Sequence, residues 1–224
     1  MSAKQNTITK PESLYREIRN KICLLEYPPS MALREEALAE EYGVSRTPIR
    51  QVLQRLEYDG LVINQPGAGV IVTTVDLRSL REVYALRLKL ADFIGEMMTN
   101  HFPAEDALLL QEILEQVQAM HDHYDTTALG RFYHQFHGIM NRNISNRPLQ
   151  QICDQLFYQT ARVWLEILPE LDWEEEVDII CEEISDVIAA VHEDNMLKVG
   201  QIRKDHMVRL LARNNNYLGS ANME

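Results

Sequence analysis

The run Gly43-Val44-Ser45-Arg46-Thr47-Pro48-Ile49-Arg50 leaves few ways to fold the residues around it. Glycine ends a helix cheaply because it accepts positive φ. Ser45 can cap a new helix two residues later, and Pro48 falls in that helix's first turn, where a missing N–H costs little. The sequence therefore predicts two short helices, Arg34–Tyr42 and Arg46–Asp59, joined by a tight turn: a helix-turn-helix. An earlier helix, Ser13–Leu25, lines up Leu14, Ile18, Ile22 and Leu25 on one face with Ser13 as its cap, before Tyr27-Pro28-Pro29-Ser30 breaks the chain. Beyond Gly60, the β-prone runs Leu61-Val62-Ile63 and Val70-Ile71-Val72 flank Asn64-Gln65-Pro66-Gly67-Ala68-Gly69. That pattern is a hairpin with a flexible tip of about six residues, a wing.

From Asp76 onward the strand signal disappears and the sequence predicts six helices, at 77–99, 103–124, 127–144, 148–168, 173–193 and 195–213. Asp76, Thr126 and Asp172 precede helices as caps, and Pro103 and Pro148 lie near helix starts. Short connections make sequential helices antiparallel neighbours. The expected fold is mainly α: a winged helix-turn-helix over residues 1–75 and an antiparallel all-helical bundle over 76–224. Charge divides at the same place. Residues 1–75 carry nine basic and nine acidic side chains, whereas 76–224 carry 13 basic and 25 acidic, so the whole net charge of −12 belongs to the second part. A neutral head can present a local basic face, while an acidic body is repelled by phosphate. Three scattered cysteines without a C-x-x-C pair fit reduced thiols in a cytosol and no disulfide framework. Residues 1–13 lack a secretory pattern, and no apolar run reaches the roughly 18 residues of a membrane span, so a cytoplasmic protein without a membrane partner is expected.

The segment ALREEALAEEYGVSRTPIRQVLQRLEYDGLV, followed by QPGAGVIV, resembles the head of GntR-family bacterial regulators. The tail resembles the effector domain of the FadR-type subgroup, the FCD domain, through Arg87, Phe136-His137, Asn146-Arg147-Pro148-Leu149 and His206. The resemblance implies a DNA-binding regulator whose helical domain takes a small-molecule effector. In a helix-turn-helix the second helix enters the major groove with its N-terminal residues toward base edges. Here those residues are Ser45, Arg46, Thr47 and Arg50. Arg46 and Arg50, four apart, share a face, and arginine can grip guanine O6 and N7 with two parallel hydrogen bonds. The Ser45 and Thr47 hydroxyls suit phosphate, and the wing tip, with Gln65 and Gly67, suits the minor groove. The family often has a basic residue at the position of Glu36; Arg34 is the expected substitute for that phosphate contact.

The resemblance also implies a bundle cavity bounded by Arg87, Tyr133, His137 and His206. Many FCD domains hold a divalent metal there with an Asp and a His one turn apart, plus two later histidines. In this sequence His137 and His206 fall on two ligand positions, but Tyr133 and Ile184 replace the other two, and isoleucine coordinates nothing. His134 and His192 are poor stand-ins, and His121 and His123 are expected to face solvent. The ligand set is incomplete, so a metal-free pocket without a cofactor is the favoured expectation, with His137 and His206 as ligands only if a metal is bound. A buried arginine needs an anion, so Arg87 points to a carboxylate effector, with Arg162 a weaker candidate and an Arg87–Glu82 salt bridge the structural alternative. No motif of an enzyme is present. The resulting expectation is a ligand-responsive repressor that binds a palindromic double-stranded DNA operator as a homodimer and answers to a small organic acid. The alternatives are a metal-dependent sensor of the same family and a helical adaptor that binds no DNA.

Overall fold

The computed structural model describes residues 10–67, 69–74, 77–99 and 101–220, with backbone alone at 10, 77 and 214–220. Two compact units divide the chain, Met1–Thr74 and Val75–Glu224. The expected cap Asp76 and wing residue Ala68 lie outside the described residues.

The first unit runs α1 (Lys10–Cys23), β1 (Ala32–Leu33), α2 (Glu35–Glu41), α3 (Arg46–Tyr58), β2 (Val62–Gln65) and β3 (Gly69–Val72). Helix α1 begins before Ser13 and ends before Leu25, which instead adopts positive φ (62°) as the Tyr27 N–H bonds back to the Lys21 carbonyl, 3.0 Å. Ser13 is thus interior to α1 and is not its cap. Gly43 ends the second helix with φ +61°, as its position in the turn requires. Ile49, Val52, Leu53 and Leu56 form the buried face of α3, and Leu14, Ile18 and Ile22 of α1 are buried with them. The three-stranded antiparallel sheet has the order β1-β3-β2. Strand β1 escaped the sequence reading because two residues after a proline break carry no alternation to detect. The wing tip is also shorter than expected: Gln65 pairs with Gly69, so only residues 66–68 lie between the strands.

The second unit consists of α4 (Leu77–Glu96), α5 (Ala104–Gln118), α6 (Thr126–Arg142), α7 (Arg147–Ile167), a 3-10 turn at Leu168–Glu170, α8 (Trp173–His192) and α9 (Met196–Ser220). Six helices were expected and six are present among the described residues, packed as neighbours α4/α9, α5/α8, α8/α9, α4/α7, α5/α6 and α6/α7. The caps explain the boundaries. Asp125 caps α6 by accepting from the Ala128 N–H at 2.9 Å, so Thr126 is the first helical residue and not the cap. Asn146 and Asp172 do the same for α7 and α8. Helix α5 stops at Gln118, short of the expected 124, and Trp173 Nε1 donates to the Met120 carbonyl just beyond it, 2.9 Å. Helices α4 and α9 touch backbone to backbone: a Cβ on Gly200 would stand 2.7 Å from the Gly95 nitrogen. Among the described residues no helix is long and apolar enough to cross a membrane.

Candidate functional site

Burial of one face of α3 turns the other outward. Ile49 is fully buried, while Ser45, Arg46, Thr47 and Arg50 are exposed. Arg34, at the N-cap position of α2, is exposed as well, and so are Gln65 and Gly67 on the wing. Ser45 stands at the N-cap position of α3 (φ −74°, ψ 166°), but its hydroxyl makes no capping bond, contrary to the expected side-chain cap. The first-turn N–H groups of α3 therefore point outward without a side-chain acceptor at the cap.

Arg46 and Arg50 of α3 are held by the first turn of α2. Arg50 donates from Nε to Glu35 Oε1 and from Nη2 to Glu35 Oε2, each 2.9 Å. Arg46 forms an ion pair with Glu36. The two-pronged Arg50–Glu35 contact uses the same pair of N–H groups that would meet the two acceptors on a guanine edge. The Arg50 bond also holds the Glu35 carboxyl below the ordinary carboxylate range. Glu36, read as the loss of a phosphate contact, has a structural role here: it is the partner of Arg46.

Inside the second unit the four expected cavity residues surround one aromatic cluster. Tyr133, buried on α6, packs its ring against Phe157 (5.9 Å), Trp164 (5.6 Å) and His206 (6.0 Å). His137 stacks flat on Phe157 at 3.6 Å, and its Nε2 lies 3.2 Å from Asp154. Burial pulls the His137 imidazole down to about 4 against the opposing pull of Asp154. Arg87, half-buried on α4, lies over the Tyr84 and Phe157 rings and donates to the Thr160 hydroxyl. The expected alternative partner, Glu82, pairs instead with Arg78 at the surface. Among the described residues no carboxylate pairs with Arg87, so its contacts are hydroxyl and ring faces.

The sequence reading missed the charges at the centre of this cluster. Glu183 on α8 is wholly buried, and Arg203 on α9 pairs with it. His206 Nε2 lies 3.1 Å from the other Glu183 oxygen. Burial pushes the Glu183 carboxyl up to about 7 against Arg203. Burial opposes the charge of Arg203 too, but Glu183 and Tyr133 outweigh it, and the Phe136 face covers the guanidinium at 4.7 Å. A signal was present: Glu183 interrupts the buried row Ile180, Ile184, Val187, and Arg203 the row Val199, Met207, Leu210. One acid and one base on the apolar faces of sequential helices read as a pair.

A divalent metal does not fit this arrangement. His137 turns Nε2 to Asp154, Tyr133 is buried among rings, and Ile184 supplies no donor. Among the described residues no three His, Cys, Asp or Glu side chains are grouped to hold an ion. His134 meets Phe157 and Tyr158 edge-on, His192 is exposed at the end of α8, and His121 bonds Asp178 at 2.7 Å. Arg162 is buried on α7. The interior cavity lined by Tyr133, Trp164, Glu176 and His206 measures about 10 Å³, the scale of one water.

Comparison with known proteins accords with both units. Residues 10–72 match the family described as bacterial regulatory proteins, gntR family, and residues 82–209 match the FCD domain. The HTH-type transcriptional regulator YdhC of Bacillus subtilis is 27% identical over 63% of this chain, and the match spans 64% of that relative, less than two thirds of its length. The regulator McbR of Escherichia coli is 25% identical over 70% of this chain and 68% of its own. The gluconate operon transcriptional repressor of B. subtilis is 26% identical over 62% and 57%. The solved structure of E. coli McbR/YncC superimposes with a TM-score of 0.82 over 95% of this chain and all of that one, at 18% identity. A GntR regulator from Rhodococcus sp. RHA1 gives 0.72 over 92% and 98%, at 17% identity. The three relatives named are described as transcriptional regulators.

Proposed function

The chain belongs to the gntR family of bacterial regulatory proteins with an FCD domain, and from that premise we propose that it is a repressor that binds a palindromic operator as a homodimer and releases it when a small organic acid binds the second unit. The exposed start of α3, with Arg46 and Arg50 on one face, supports DNA reading through the major groove. Ser45, Thr47 and Arg34 would meet phosphates, and Gln65 and Gly67 on the wing would meet the adjacent groove. The similar gluconate operon repressor favours repression over activation.

One observation carries the effector reading: Arg87 is half-buried beside Phe157 with a neutral hydroxyl as its hydrogen-bond partner. A carboxylate gains there what Thr160 cannot give, a charge-assisted two-pronged bond. Arg203 is the poorer anchor because Glu183 already neutralises it. The cavity beside Tyr133 and His206 holds about one water, so an acid that reaches from Arg87 toward those rings requires them to repack. Repacking at Arg87 moves α4, the first helix after the DNA-binding unit in the sequence. Operator occupancy falls when the acid binds the released state more tightly than the DNA-bound state. A coupling of roughly 5- to 150-fold in operator affinity is ordinary for such a device. The test is a thermal-shift screen of organic acids followed by operator titration with each hit. At least one acid should raise the melting temperature and weaken operator binding, and Arg87→Ala should lose both effects. Hits that leave operator affinity unchanged, and bind Arg87→Ala equally well, would overturn the reading.

A further inference from the structure

Helix α4 and the two residues after it carry two apolar rows. The first, Leu80, Tyr84, Ala91, Gly95 and Met98, is buried inside the second unit. The other, Val83, Leu86, Leu90, Phe93 and Met97, steps alternately by three and four residues, the spacing of a coiled-coil seam. It lies about 120° around the helix from the first. Leu86 and Phe93 are each 47% exposed, and Val83, Leu90 and Met97 are half-buried. The Met97 N–H still bonds to the Phe93 carbonyl at 3.0 Å, so the helical geometry holds to the end of the row. Flanking it, Lys89 and Glu96 are exposed.

We infer that this row is the dimer seam, packed antiparallel against α4 of a second copy with the two-fold axis between residues 91 and 92. The inference rests on the dimeric reading above and adds its surface. Charge fixes the register. With the axis there, Leu86 meets Met97 of the second copy, Leu90 meets Phe93, and Lys89 of each copy faces Glu96 of the other. Sliding the pair by one heptad step toward the N-terminus sets Glu82 against Glu96 and Lys89 against Lys89, which is repulsive on both counts. At about 1.5 Å per residue the antiparallel pair sets the two α4 N-termini roughly 44 Å apart, whereas a parallel seam brings them to within about 10 Å.

Sedimentation of the full-length chain at micromolar concentration tests this. The wild type sediments as a dimer, and Leu86→Glu/Phe93→Glu as a monomer with an unchanged helical circular dichroism spectrum. Lys89→Glu alone and Glu96→Lys alone each weaken dimerisation roughly tenfold, and Lys89→Glu/Glu96→Lys restores it because the swapped pair is again complementary. A dimer that persists in Leu86→Glu/Phe93→Glu overturns the seam while leaving the dimer standing. Failure of the charge swap to restore what its single variants lose overturns the register. A monomeric wild type overturns the dimeric reading itself.

Discussion

Arg203 and Glu183 occupy positions where a helical bundle usually places leucine or methionine, and each is tolerable only because of the other. Removing Glu183 leaves Arg203 charged in a dry core. Glu183→Ala is therefore expected to destabilise the protein by about 3–5 kcal/mol in a urea melt, whereas Glu183→Leu with Arg203→Met should be neutral or stabilising. Equal losses in both variants would mean that the pair contributes packing and not compensation. At this scale the sequence disclosed the exposed residues better than the buried ones. Ser45, Arg46, Thr47 and Arg50 were legible because local turn chemistry fixes where α3 starts, and its buried row fixes which side faces out. Tyr133 and His206 were expected at the bundle cavity only because the family resemblance implies it. The partners of the cavity residues could not be read, because Thr160 meets Arg87, Asp154 meets His137 and Glu183 lies against His206 from other helices, and the length of the chain between carries no trace of those contacts.

Helix contacts depend on what each crossing can admit. The α4/α9 crossing admits no side chain at Gly200, where an added Cβ meets backbone at 2.7 Å. Gly200→Ala is expected to lower stability by roughly 1–3 kcal/mol, despite the about 1 kcal/mol that alanine gains in helix propensity. Gly138→Ala, within α6 and with open space around the added carbon, should instead stabilise by about 0.5–1 kcal/mol. Thermal melts of both variants check the pair, and loss at Gly138 with none at Gly200 would contradict the crossing. The α5/α6 contact is tied by Asp106, which accepts from Arg142 Nε at 3.1 Å and Asn143 Nδ2 at 2.6 Å. Burial works against its charge, but these bonds outweigh it and hold its carboxyl below the ordinary 3.8. The sign follows: the stabilisation is complete above pH 3.8 and is lost as pH falls through the lower folded value. Acid titration of Asp106→Asn should show less loss than the wild type in that window; identical curves would remove Asp106 from the account. Helix boundaries set by Asp125, Asn146 and Asp172 were close to their sequence positions because a cap is a local signal. The end of α5 and strand β1 were not, because a tryptophan from α8 and a register from β3 decide them.

Over the whole molecule, charge and architecture divide the work. The second unit holds the entire excess of acid, so DNA affinity must come from the first, whose charges balance. Within that first unit Glu35 and Glu36 already hold the two arginines proposed to read bases. In the proposed function, operator binding exchanges those contacts for guanine edges, and selectivity arises because non-specific DNA offers phosphates but not the matching acceptor pair. The direct test is fluorescence anisotropy of a labelled palindromic operator, selected from random duplexes by the wild-type protein, against a scrambled duplex at fixed salt. The wild type should prefer the operator by roughly 1,000-fold or more. Arg46→Ala and Arg50→Ala should each cost about tenfold or more on the operator while changing scrambled-duplex binding far less. If both variants keep wild-type affinity and selectivity, α3 is not the reading helix and the central claim fails.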